Sequence, residues 1–234
     1  MKNAPTLLFL HGALGTSQDF LPLMEILKDK GATLLSFDFS GHGKKTSWPE
    51  EFRIDFFAKE LDDYIKKNAL DDLIIFGHSM GAYVALYHQA HFSPSPISRI
   101  FTYGTKFNWS EQSVSKELPM LNPENLLQKY PSFAATLADK HGERWKSLLL
   151  STAHMMQNLQ KLDGLTSEDV ADIGIPVLLM LGDQDRMVST EETTLTKQWI
   201  KHADFRMISH SKHEIERANL KEIAQVILEN LMLN

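Results

Sequence analysis

Six short apolar runs recur along this chain, and between them lie stretches whose apolar residues return every three or four positions. The runs occupy residues 6–10, 33–37, 73–76, 97–103, 176–181 and 205–208. Runs this short, bounded by turn residues, read as buried strands, and the stretches between them read as amphipathic helices. Phe20, Leu23, Met24 and Leu27 share one helical face, with Gly31 beyond them as a stop. Ile54, Phe57, Ala58, Leu61 and Ile65 form a second stripe, and Leu220, Ile223, Ala224, Ile227 and Leu231 a third. Strands that alternate with helices are joined by crossovers, so the expected fold is α/β: a doubly wound, mostly parallel six-stranded sheet with helices on both faces.

The rhythm stops between residues 106 and 169. Residues 125–129, 132–140, 143–151 and 153–162 look helical instead, separated by Pro119, Pro123, Pro131 and Gly142. This stretch is rich in Trp109, Met120, Leu121, Phe133, Trp145, Met155 and Met156. Most of these are expected to pack on one another, and the remainder to roof a site on the sheet. The expected organisation is therefore a core of residues 1–105 and 170–234, with a helical cap inserted at 106–169.

Composition excludes several classes of function. The formal net charge of −6 argues against a nucleic-acid partner, which calls for a basic face. There is no cysteine, hence no disulfide framework, thiolate nucleophile or thiolate metal ligand. The ten histidines are dispersed rather than clustered as metal ligands, and no cofactor or metal is expected. No stretch approaches the roughly 18 apolar residues of a membrane span. Residues 1–5 lead straight into the first strand, so a cytoplasmic protein is expected, monomeric or homodimeric, acting on a small molecule.

Gly77-His78-Ser79-Met80-Gly81 lies between the third run, Leu73-Ile74-Ile75-Phe76, and the helical stretch that begins at Ala82. A serine flanked by glycines at a strand-to-helix junction fits a sharp, strained turn that lifts its hydroxyl clear of the sheet, beside unpaired helical N–H groups. Alone, the pattern is equally a Gly-Ser-Gly loop without chemistry. A serine becomes nucleophilic only when a base takes its proton and a carboxylate orients that base. Downstream lie Asp183 and Asp185, after the fifth run, and His210 and His213, after the sixth. These positions fall at the carboxyl ends of parallel strands, where catalytic groups emerge. His11, His42 and His78 read as structural hydrogen-bonders, and Lys44-Lys45 as a solvated surface.

Four motifs in order give the chain a wider resemblance: Leu10-His11-Gly12, then Asp38-Phe39-Ser40-Gly41-His42-Gly43, then the serine pentapeptide, then Gly182-Asp183-Gln184-Asp185 ahead of His213. From Leu7 to about Leu231 the chain resembles the α/β-hydrolase family. The resemblance implies a reduced core that starts at the family's third strand, and a serine nucleophile elbow at Ser79. It selects Asp185 as the triad acid, through Gly182-Asp183-Gln184-Asp185-Arg186-Met187-Val188, and His213 as the base, although Lys212 replaces the family's usual glycine. It assigns the oxyanion donors to the backbone N–H groups of Ala13, with Leu14 as the neighbour, and Met80. The implied activity is hydrolysis of a small carboxylic ester, or a related thioester, lactone or C–C bond, with an apolar acyl or aryl group under the cap. His11-Gly12-Ala13-Leu14-Gly15 is also similar to the loop of a menaquinone-pathway lyase of the same fold. That relative carries an arginine two residues past the last elbow glycine, where this chain has Tyr83. A third reading is a non-catalytic, ligand-binding member of the fold.

Overall fold

The structure is a computed structural model that describes residues 4–231; the opening Met1–Asn3, placed by the sequence ahead of the first strand, lie outside the described residues. Strands β1 (Thr6–Leu10), β2 (Thr33–Phe37), β3 (Leu73–His78), β4 (Ile97–Tyr103), β5 (Val177–Gly182) and β6 (Ala203–Ile208) form one six-stranded sheet in the order β2-β1-β3-β4-β5-β6. Every neighbouring pair is parallel. The α/β, doubly wound, six-stranded fold expected from the sequence is the fold observed.

Successive side chains of a strand point to opposite faces, and β1 separates its residues accordingly. Leu8 and Leu10 face helices α2 (Ile54–Lys67) and α3 (Met80–His91), packing with Ile54, Phe57, Leu61, Val84 and Leu86. Leu7 and Phe9 face α1 (Leu21–Leu27) and α10 (Leu220–Leu231), packing with Phe20, Leu23, Ile223 and Ile227. Because both faces are covered, β1 after Thr6 and β5 read as continuous apolar runs rather than alternating ones, and β5 is buried along its whole length.

Between β4 and β5 the chain forms α4 (Glu111–Glu117), α5 (Pro123–Lys129), α6 (Pro131–His141), α7 (Trp145–Asn158) and α8 (Ser167–Ala171). The sequence suggested a break near residue 152, yet α7 runs unbroken through it. Ser151 and Thr152 carry no helix-breaking chemistry, and Leu148, Leu149, Thr152, Met155 and Met156 keep one continuous buried face. Helices α4 and α8 went unpredicted because both are short and polar. Each begins with a side-chain cap, from Ser110 and Thr166. Helix α8 crosses residue 169, where the expected core was to resume.

Val114, Leu121, Leu126, Leu137, Trp145, Leu149 and Met156 give this segment a small core of its own. Leu148, Met155 and Leu159 instead join the cluster built on α2 and α3. Helix α9 (Thr190–Trp199) completes the crossover between β5 and β6. No helix among the described residues is long and apolar enough to cross a membrane.

Candidate active site

Ser79 follows β3 directly and precedes α3, with φ 48° and ψ −112°. A non-glycine residue at positive φ costs on the order of 1–3 kcal/mol and persists only where its surroundings hold it. Here the Ser79 N–H donates to the Tyr103 carbonyl at 2.8 Å, and the Ser79 carbonyl accepts from Tyr83 N–H at 3.1 Å. The flanking glycines are steric requirements of this turn. A Cβ on Gly77 would lie 2.8 Å from Ala82 Cβ, and one on Gly81 would lie 2.5 Å from the Leu10 carbonyl carbon.

The loop after β1 closes against the same turn, since a Cβ on Gly12 would sit 2.8 Å from His78 Nδ1 and 3.3 Å from Ser79 Cβ. Gly15 N–H donates to the Gly12 carbonyl at 3.0 Å, and Leu14 adopts φ 62° within that turn. Ala13 and Met80 both line the cavity that holds Ser79. Met80 is the first residue of α3, so its N–H has no partner inside the helix.

Asp185 and His213 meet, with His213 Nδ1 2.8 Å from Asp185 Oδ2. The other carboxylate oxygen, Oδ1, accepts from Met187 N–H at 2.8 Å and Val188 N–H at 2.9 Å. The Asp185 side chain is fully buried. Burial pushes its pKa up, but the His213 hydrogen bond and charge and the two amides outweigh that and hold it below the usual carboxylate value. Asp183 ties two loops together, its Oδ1 accepting from Ser211 N–H at 3.0 Å. His210 is exposed, at φ 54°.

His213 is anchored through backbone carbonyls. His78 Nε2 donates to the His213 carbonyl at 2.9 Å, and the Tyr103 hydroxyl donates to the Lys212 carbonyl. Thus the residue next to Ser79 grips the loop that carries His213. Ser79 Oγ and the His213 ring are not hydrogen-bonded to each other in this structure. Such bonds commonly tighten only once substrate is bound.

Three contacts escaped sequence reading because each spans a long stretch of chain. The first is the His78 bond just described: the sequence marks His78 as a hydrogen-bonder but does not name its partner. The second is His141 at the end of α6, whose Nε2 donates to the Leu14 carbonyl at 2.9 Å and whose Nδ1 accepts from Gly43 N–H at 2.9 Å. It pins α6 to the loop that holds Ala13. The third is Lys106, which is buried and lines the Ser79 cavity.

The buried histidines carry a pH signature. His11 Nδ1 donates to the Gly12 carbonyl at 2.8 Å and Nε2 accepts from Phe39 N–H at 3.0 Å, which defines a neutral ring. Burial lowers the pKa of His11 to about 3 and that of His78 to about 4, against an ordinary 6.5. At pH 7 neither folded nor unfolded chain protonates these rings. Between pH 6.5 and pH 4 only the unfolded chain does, so stability falls as pH falls. The expected loss approaches about 1.4 kcal/mol per pH unit per histidine within that window. Urea unfolding at pH 7 and pH 5 measures it, and equal stabilities would contradict the neutral assignment.

Ser79 sits on a strained strand-to-helix turn, and the Asp185–His213 pair lies in the loops that follow β5 and β6. The family profile described as alpha/beta hydrolase fold matches residues 5–162, and the chain belongs to that family. Over 87 residues it is 31% identical to a 2-succinyl-6-hydroxy-2,4-cyclohexadiene-1-carboxylate synthase of Yersinia pestis (strain Pestoides F), an alignment covering 37% of this chain and 31% of that protein. The match therefore spans about a third of that relative's length. Among solved structures, the chain is similar to NosK from Streptomyces actuosus, with a TM-score of 0.80, 22% identity and 97% of each chain covered. It is also similar to the esterase EaEST from Exiguobacterium antarcticum, with a TM-score of 0.78, 16% identity, and 99% and 93% of the two chains covered. At these identities the two structures share the fold with this chain.

Proposed function

We propose that the protein is a serine hydrolase that cleaves a small carboxylic ester, or a related thioester, lactone or C–C bond, with residues 106–169 as a cap over the site. The observation that carries this reading is the pairing of His213 with the buried Asp185 beside a strained Ser79 on the neighbouring turn. Asp185 holds a proton on His213 Nδ1, which leaves Nε2 free to take the proton from Ser79 Oγ. Oγ adds to the substrate carbonyl carbon, and the charge on the carbonyl oxygen is met by the amides of Ala13 and Met80. His213 then gives its proton to the leaving alkoxide as the C–O bond breaks. Water, deprotonated by the same ring, adds to the acyl-enzyme, and the released carboxylate leaves Ser79 protonated.

The cavity at Ser79 is faced by Ile54, Met80, Trp109, Met155 and Leu159, which favours an apolar acyl or aryl segment. Its volume of about 30 Å³ admits little more than one water molecule. Substrate entry therefore requires the methionine and tryptophan side chains of the cap to shift. The test is a series of p-nitrophenyl esters from acetate to octanoate. The account expects turnover of the short members and a fall of at least about 10³-fold in kcat/KM for Ser79→Ala. Equal rates for the two proteins would overturn it.

The partial match to the Yersinia synthase favours a lyase as the second reading. Against it stands Tyr83, at the position where the resemblance puts an arginine. Its hydroxyl accepts from Leu165 N–H at 2.5 Å and so is engaged in holding the chain ahead of α8.

A further inference from the structure

Lys106 follows β4 and is only 7% exposed. Its ammonium donates to a single protein acceptor, the Met187 carbonyl, at 3.2 Å. Among the described residues no carboxylate forms an ion pair with it. Glu192, which shares a cleft with Lys106, is taken up elsewhere: its Oε1 accepts from Phe107 and Asn108 N–H, each at 2.5 Å. Asp185 is committed to His213, Met187 and Val188. A buried cation with one neutral acceptor lacks the counter-charge that buried charges ordinarily have.

Its position supplies a reason. Lys106 lines the Ser79 cavity on one side and, on the other, a more open cleft of about 330 Å³ whose lining mixes Arg186 and Lys116 with Glu117, Asp185 and Glu192. Among the described residues, no acidic side chain lines the inner cavity. Trp109, which lines the same cavity, buries an indole N–H that lies near the Tyr83 hydroxyl without forming a sound hydrogen bond. The wall is therefore rich in donors and poor in acceptors. An all-apolar substrate would leave the Lys106 charge without a counter-charge and the Trp109 N–H without an acceptor, which is costly in a desolvated site.

We propose that Lys106 is the anchor for an anionic group on the substrate, so that the site takes an ester or thioester whose acyl portion ends in a carboxylate a few atoms from the scissile carbonyl. This rests on the serine-hydrolase reading and narrows its substrate class. The apolar cavity walls hold the connecting carbons, and the carboxylate lies where the inner cavity meets the outer cleft. Lys106 pairs with that carboxylate and Trp109 N–H is available to it as a second donor.

The test separates binding from turnover. In the Ser79→Ala background, calorimetric titration compares monomethyl glutarate, a half-ester carrying one carboxylate, with the neutral dimethyl glutarate. The expected result is about tenfold or greater preference for the half-ester, the scale of one charge-assisted hydrogen bond in a desolvated site. Lys106→Met and Lys106→Gln, added to Ser79→Ala, should each remove that preference. Two neutral replacements guard against a failure of either to fold, which circular dichroism reports. Equal binding of the two esters, or a preference that survives both replacements, overturns the proposal. Hydrolysis of the half-ester by the unaltered enzyme is then measured separately. If it binds with the Lys106-dependent preference but is not cleaved, the hydrolase reading fails and the anion site stands. If both esters are cleaved without preference, the anion site fails and the hydrolase reading stands.

Discussion

Asp185→Asn should lower kcat by roughly 10³–10⁴-fold while leaving the protein folded, the scale seen when a triad carboxylate is neutralised. The reason lies in which atoms each oxygen serves. The two amides of Met187 and Val188 bond to Oδ1, and an asparagine oxygen at that position keeps both. The amide NH₂ then faces His213 Nδ1, where Oδ2 had accepted a hydrogen bond. Donor would meet donor, so the imidazole must place its proton on Nε2 and can no longer receive one from Ser79. Asp183→Asn is the informative partner. Asp183 accepts from Ser211 N–H and has no contact with His213, and asparagine retains an acceptor there. Its effect on kcat should stay within about tenfold, the range of a positional disturbance rather than a lost triad member. Steady-state kinetics on p-nitrophenyl butyrate decides between them, and the reverse ranking would move the acid from Asp185 to Asp183.

Gly81→Ala should be strongly destabilising, at about 3 kcal/mol or more, the upper end of overpacking, because the atoms it meets cannot move aside. The added Cβ would overlap the Leu10 carbonyl oxygen and sit 2.7 Å from the carbonyl oxygen of His11. These are backbone atoms at the end of β1, in the sheet's interior, and no side-chain rotation relieves the contact. Gly174→Ala serves as the comparison, because nothing lies within 4 Å of a Cβ there. Its effect should be within about 0.5 kcal/mol. Urea unfolding of the two variants gives the comparison, and similar midpoints would show that α3 can retreat from β1, contrary to a rigid turn.

The strands were legible because both faces of the sheet are covered, so each is an apolar run bounded by turn residues. Residues 6–10, 33–37 and 97–103 coincide with β1, β2 and β4 as observed. The serine turn was legible for a different reason. Gly77 and Gly81 record close backbone approaches in a local pattern, and the structure shows those approaches against Ala82 and Leu10. Asp185 and His213 were separable from Asp183 and His210 only through the family resemblance. Nothing local marks which carboxylate turns inward and which ties Ser211. The connections that brace the site were not legible at all. His78 to the His213 carbonyl and His141 to Leu14 link residues 135 and 127 positions apart, and no periodicity encodes such pairs. Lys106 looked like the start of a new segment, since a lone lysine in sequence is ordinarily a solvated one. Only its burial beside Ser79 distinguishes it.

The central claim is an activated serine at position 79, and labelling with a fluorophosphonate tests it most directly. The purified protein is treated with the reagent, digested, and mapped by mass spectrometry alongside Ser79→Ala. The account predicts one label per chain, on the peptide that contains Ser79, and none on the variant. A folded protein that takes no label, or takes it equally in the variant, would contradict the account.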